Sequence, residues 1–184
     1  MAAESKAAQI GWHAADFALR STEGRIQTLR ELAGPRGLVV AFICNHCPYV
    51  KAILPRLVRD ARELADLGVH LVGINSNDAL AYPEDSFERM VELAPTLSFP
   101  YLHDADQSVA RAYGAVCTPD FFGFDATLQL RYRGRLDASR KQSAAADAPR
   151  ELYEAMRLVA QTGQGPQLQH ASIGCSIKWR DEVL

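Results

Sequence analysis

Cys44-Asn45-His46-Cys47-Pro48 puts two thiols one helical turn apart, directly after the apolar run Leu38 to Ile43 and before a helical pattern. A CxxC between a strand and a helix is the usual setting of a redox dithiol. Unpaired backbone N–H groups and the positive end of the helix favour the Cys44 thiolate, making Cys44 the expected nucleophile. Cys47, deeper in the helix, is expected to be shielded and to resolve the mixed disulfide that Cys44 forms. His46, if protonated, would lower the Cys44 pKa further and make the pair more oxidising. Its other reading is a solvent-exposed cap residue. The pair itself also admits two plainer readings, core cysteines or half of a zinc site, with His46 the only supplement nearby in sequence.

The chain that must position these groups has 184 residues, enough for one domain with a real core and no disulfide staples. Its 20 Lys and Arg against 22 Asp and Glu give a net charge of -2 with no long block of one sign. That balance gives no electrostatic reason to expect nucleic acid or an anionic membrane as partner. The start has no apolar run before Gly11, so neither a secretory signal nor a membrane anchor is expected, and the expected location is cytoplasmic.

Residues 1–9 are expected to be a flexible terminus, 10–163 the main domain, and 164–184 a tail with weak periodicity. Ile10 to Leu32 reads as an N-terminal hairpin around Ser21-Thr22-Glu23-Gly24. Leu38 to Ile43 is a central strand covered on both faces. Apolar positions from Val50 to Ala65 at three- and four-residue spacing predict a long amphipathic helix ending near Gly68, with Pro48 in its first turn and a kink at Pro55. Val69 to Ile74 is a second buried strand, followed by a helix from about Asp85, which has capping-box spacing with Glu88. A short helix from Ser108 to Tyr113, a hairpin of Phe121 to Phe124 with Leu128 to Tyr132, and a final helix after Pro149 complete an α/β order with a mixed sheet.

This order, with the CxxC at a helix start and Thr118-Pro119 leading into the hairpin, resembles thioredoxin. The opening Ala15-Asp16-Phe17-Ala18-Leu19 with Gly24 and Leu29 resembles the N-terminal extension of peroxiredoxins and thioredoxin-like reductases. Phe42 to Val50 together with Gly114 to Phe122 is similar to a bacterial thioredoxin-like group related to alkyl hydroperoxide reductase and thiol-specific antioxidant. The resemblance implies a thioredoxin-like fold with an N-terminal hairpin extension and a C-terminal tail. It also implies a cis Pro119 facing the dithiol, with the Thr118 backbone available to an extended partner. On that fold Cys117 lies near the substrate face, where it either packs or joins redox or soft-metal chemistry. Cys175 has the same alternatives, resolving or metal-binding thiol against tail anchor or free surface thiol.

Two positions depart from thioredoxin: Ile43 stands where tryptophan is usual, and Leu38 where a buried acid is expected, so proton removal from Cys47 needs another group or water. The peroxidatic pattern Pro-x-x-x-Thr-x-x-Cys fails from Cys44, where Gly37 and Ala41 occupy the proline and threonine positions. It fails from Cys47 as well, where Val40 and Cys44 do. Asn75, Asn77 and Asp78 either line the same end of the sheet or make a turn, and His103 and Asp104 form a polar loop. The expected activity is thiol–disulfide exchange with a protein or small-molecule disulfide, reset by a thiol donor. A thiol-dependent peroxidase and a metal-binding or redox-sensing module are the alternatives. No flavin, haem or nucleotide fingerprint is present, no cofactor or bound metal is expected, and no oligomeric state follows.

Overall fold

A computed structural model describes residues 2–6 and 9–180. The segment expected to be loose begins with a strand, β1 (Ala2–Glu4); Met1, Ala7 and Ala8 of that segment lie outside the described residues. The expected N-terminal hairpin is β2 (Ala18–Ser21) with β3 (Ile26–Thr28), antiparallel. Gly24 turns it with a φ of 85°, a left-handed conformation that glycine adopts without a Cβ clash. A capping box of Thr28 and Glu31 starts the short α1 (Leu29–Leu32).

The centre of the molecule is β4 (Gly37–Phe42), every residue of it buried. Its side chains alternate between two cores. Val39 and Ala41, with Ile43 just beyond, pack against α2 (Pro48–Asp66), and Leu38, Val40 and Phe42 face the opposite layer. Helix α2 continues through Pro55, and its buried stripe of Val50, Ile53, Leu57, Ala61 and Leu64 covers the sheet. β5 (Val69–Asn75) lies beside β4, with the Ile43 N–H donating to the Ile74 carbonyl at 3.0 Å.

After a 3-10 turn (Pro83–Asp85) comes α3 (Phe87–Leu93). β6 (Tyr101–His103) joins β5 in parallel and β2 antiparallel. α4 (Ser108–Tyr113) ends at Gly114 as expected, its start held by the buried Asp104 carboxylate, which accepts from the N–H groups of Val109 and Ala110. The two-residue β7 (Cys117–Thr118) is followed by the antiparallel pair β8 (Asp120–Asp125) and β9 (Leu130–Gly134), with β8 also antiparallel to β4. α5 (Glu151–Thr162) packs on the α2 side through Leu152, Ala155, Met156 and Val159.

The result is a thioredoxin-like central mixed sheet, in the order β3-β2-β6-β5-β4-β8-β9, flanked by helices and preceded by the hairpin. The tail adds something the sequence left open. It returns to the CxxC end of the sheet as β10 (Ile173–Ser176), lying between β1 and β7. Residues 181–184 of the expected tail lie outside the described residues. No helix among the described residues is long and apolar enough to cross a membrane.

Candidate redox site

β4 ends at Phe42, and Cys44 sits in the short turn that feeds α2. Cys47 is the N-cap of that helix and Pro48 its first residue, where a missing N–H costs nothing. The side chain of Asn45 ties the turn down: its Oδ1 accepts from the buried Tyr101 hydroxyl at 2.9 Å and its Nδ2 donates to the Glu84 carbonyl at 3.0 Å.

Across from the dithiol, the Thr118-Pro119 bond is cis. Thr118 touches both sulfurs, its hydroxyl lying 3.3 Å from the Cys44 Sγ and its carbonyl accepting from the Cys47 Sγ at 3.3 Å. Pro119 borders a shallow depression with Tyr49, Ile53, Leu136 and Ile173. The Thr118 edge, expected to be available to a partner, is paired with the chain's own β10, in a register that sets Cys175 opposite Thr118. The Cys175 Sγ lies 2.8 Å from the Cys47 Sγ. Cys44, Cys47, His46, Thr118, Pro119 and Cys175 thus come together. Cys117 does not join them: its buried sulfur points to the carbonyls of Pro119 and Ser172, and burial pushes its thiol far up.

Asp85 is the residue the sequence reading missed. Its Glu88 spacing suggested a helix cap, but Ser86 takes that role, accepting from the Arg89 N–H. This frees the Asp85 carboxylate, wholly buried, to turn toward the CxxC. It accepts from the Asn45 N–H at 2.7 Å and the Asn77 Nδ2 at 2.7 Å, and lies 2.6 Å from the His46 Nδ1. The signal available was two cap-type residues in succession, Asp85 and Ser86, of which a helix needs one. His46 is therefore a held residue rather than a free cap, stacked on Tyr82 with the rings 5.7 Å apart. Asn77 belongs to the support of Asp85, and its Oδ1 in turn accepts from the Lys178 N–H of the tail. Asp78 keeps the turn role, accepting from the Leu80 N–H. Asp104 and His103 serve α4 and the β6 edge, away from the sulfurs.

The electrostatics set the two sulfurs apart. The Cys44 pKa is raised well above the usual thiol range by the hydrogen bond shared with Cys47, by burial and by the Asp85 carboxylate; the Thr118 hydroxyl opposes them. Cys47 is pulled down to about 4, chiefly by the hydrogen bond from Cys44, with further help from Cys175 and the Val50 N–H. Cys175 is pushed up to about 11 by burial and by its hydrogen bond to Cys47. The two sulfurs of the reduced pair thus share a proton, with the Cys175 thiol beside Cys47. Burial does not separate the pair: Cys44 is 1% exposed and Cys47 0%.

Ligand atoms of Cys44, His46 and Asp85 lie within 4.8 Å of one another, a spacing that could hold a metal ion. Both Asp85 oxygens are already engaged by Asn45, His46 and Asn77, so the cluster reads as a positioning network for the CxxC turn.

Residues 10–133 match the profile of the AhpC/TSA family. An uncharacterized conserved protein from Geobacillus kaustophilus has the same structure at a TM-score of 0.93, with 42% identity, covering 100% of this chain and 98% of its own. A hypothetical protein from Sinorhizobium meliloti is similar at a TM-score of 0.91, with 41% identity, covering 97% and 99%. A thiol-disulfide oxidoreductase, ResA of Halalkalibacterium halodurans, is 32% identical over 112 residues, which is 61% of this chain and 60% of that relative's length. The cytoplasmic expectation does not stand. The fold is shared, at 23% identity, a TM-score of 0.55 and coverage of 78% and 95%, with a secreted disulfide oxidoreductase of Mycobacterium tuberculosis. A dithiol's potential and partners set its working state, so a CxxC on this fold carries no address.

Proposed function

This chain belongs to the AhpC/TSA family, and we propose that within it the chain works as a thiol–disulfide oxidoreductase whose dithiol is Cys44 and Cys47. The observation that carries the reading is the placement of both sulfurs at the β4–α2 junction against Thr118, which offers a hydroxyl to one and a carbonyl to the other.

In the reduced pair Cys44 holds a proton that Cys47 can receive. Cys44 bonds to the nearer sulfur of a substrate disulfide as its proton passes to Cys47, and the outgoing substrate thiolate then takes that proton. Cys47, again a thiolate, attacks the Cys44 sulfur, closing the Cys44–Cys47 disulfide and expelling the second substrate sulfur as a thiolate. Two electrons pass from the pair to the substrate, and the oxidised protein runs the same steps backward. His46, held by Asp85 at the half-exposed rim, lies on the Cys44 side of the pair and supplies a polar entrance for the incoming disulfide. The acid missing at Leu38 is thus not needed to deprotonate Cys47, because the flanking thiols already stabilise its charge.

The test is trapping. Cys47→Ser mixed with a protein disulfide is expected to accumulate a mixed disulfide at Cys44, mapped by mass spectrometry, while Cys44→Ser accumulates none. Equal trapping by both variants would contradict the assignment. Stopped-flow oxidation of the reduced wild type by the same disulfide and by hydrogen peroxide at matched concentration separates this reading from a peroxidase, since much faster reaction with peroxide favours the latter.

A further inference from the structure

We propose that Cys175 is the outer member of a three-thiol chain, Cys44–Cys47–Cys175, and is the sulfur through which a partner thiol reaches the dithiol. The proposal rests on the dithiol reading above and assigns the tail a part in turnover.

Three observations carry it. Cys175 reaches the central sulfur, 2.8 Å away, from a strand fixed on both edges, by β1 on one side and β7 on the other. The strand is also anchored on either side of the cysteine. Ser172 donates to the Gly134 carbonyl at 2.5 Å and accepts from the Ser5 N–H at 2.9 Å, while the Ile177 N–H donates to the Val116 carbonyl at 3.0 Å. Gly174 permits the approach, because a Cβ there would lie 1.9 Å from the Thr118 carbonyl oxygen. Finally, Cys175 alone of the four cysteines is not buried. A partner thiol meeting the oxidised cluster therefore finds Cys175 the most exposed of the three residues.

The chemistry balances without another reactant in the first step. With Cys44 and Cys47 joined, the Cys175 thiolate attacks the Cys47 sulfur. A Cys47–Cys175 bond forms, the Cys44–Cys47 bond breaks, and Cys44 leaves as a thiolate beside the Thr118 hydroxyl, taking up the proton that Cys175 lost. Oxidation of Cys47 favours this attack, since the hydrogen bond and the negative charge of Cys47 that raise the Cys175 pKa vanish, while Lys178 continues to lower it. In the second step a dithiol partner attacks the half-exposed Cys175 sulfur. Cys47 is the leaving group, and its low pKa makes it a good one. The partner's second thiolate then resolves the mixed disulfide, so the partner is oxidised by two electrons and the cluster is fully reduced.

The experiment oxidises the reduced protein with oxidised glutathione, quenches with acid and alkylating agent, and maps disulfides by mass spectrometry. Wild type is expected to show Cys47–Cys175 beside Cys44–Cys47, and Cys44→Ser, which leaves the tail untouched, to form Cys47–Cys175 in high yield. Cys175→Ser is expected to keep Cys44–Cys47 but to be reduced by dithiothreitol about tenfold more slowly than wild type, because attack must fall on a buried sulfur. Failure of Cys44→Ser to form an internal disulfide, or reduction of Cys175→Ser at the wild-type rate, overturns the chain while leaving the dithiol intact. Absence of Cys44–Cys47 from oxidised Cys175→Ser removes the dithiol reading itself and the chain with it.

Discussion

Replacing Asp85 by Asn should make Cys44 more reactive while making the protein less stable. The carboxylate, the His46 ring and the Cys44 sulfur lie within 4.8 Å of one another. At that separation, with an effective dielectric of about 20, a carboxylate opposes a thiolate by roughly 3 kcal/mol. Removing the charge raises the thiolate fraction near neutral pH by up to about 100-fold, but each unit of lost basicity weakens the nucleophile, leaving a net gain of about tenfold. The assay is the pH dependence of iodoacetamide alkylation at Cys44 in a Cys47→Ser background, read by mass spectrometry. The same titration with His46→Gln added isolates the field of the carboxylate from that of the ring. Meanwhile the Asn45 N–H and the Asn77 amide lose a charged acceptor, which should cost about 2–4 kcal/mol and lower Tm by roughly 10 °C. An Asp85→Asn midpoint equal to or above that of the parent, in protein shown to be folded, would refute the reasoning that Asp85 holds the Cys44 pKa up.

Gly174→Ala forces a methyl to within 1.9 Å of the Thr118 carbonyl oxygen, so β10 must shift, at a cost of about 1–3 kcal/mol. Denaturant melts should show that loss, and disulfide mapping should show less Cys47–Cys175 bond with Cys44–Cys47 retained; an unchanged ratio would mean that the strand does not set the contact. Asp120, fully buried, is pushed by burial from 3.8 up to about 6, with Arg133 opposing the shift. Because the folded pKa is the higher one, the stability this proton brings is complete below about pH 4 and lost as pH rises through about 6. It amounts to about 3 kcal/mol between those limits. Urea melts from pH 4 to pH 7.5 should therefore show a falling contribution in wild type that is missing in Asp120→Asn, and parallel curves would rule it out.

The CxxC was legible because two strong local patterns flank it. The continuous apolar run became β4, buried on both faces, and the three- and four-residue spacing became α2. Thr118 and Pro119 were placed opposite the dithiol by resemblance, since no local pattern links them to residues more than seventy positions earlier. Asp85 was misread for a physical reason: its spacing to Glu88 satisfies a cap, and only the fold of the preceding loop over the CxxC turn decides that Ser86 caps instead. Strands β1 and β10 escaped for another. They are three and four residues long and are held largely by backbone pairing, which leaves no apolar period to read. The order of the Cys44 and Cys47 acidities follows chiefly from the hydrogen bond the two sulfurs share, to which Asp85 adds on the Cys44 side and Cys175 on the Cys47 side.

The pairing of β10 with Thr118 also changes what a substrate has to do. An extended segment seeking that edge competes with a strand of the same chain, whose effective concentration is on the order of millimolar for even a loosely tethered segment. Backbone pairing alone, which any unfolded chain can offer, cannot win that competition at cellular concentrations. Discrimination therefore moves to side chains that engage the rim around His46 and Tyr82 or the depression beside Pro119. On the proposed function, the occupied edge would favour partners that engage those side chains over unfolded chains that offer only backbone.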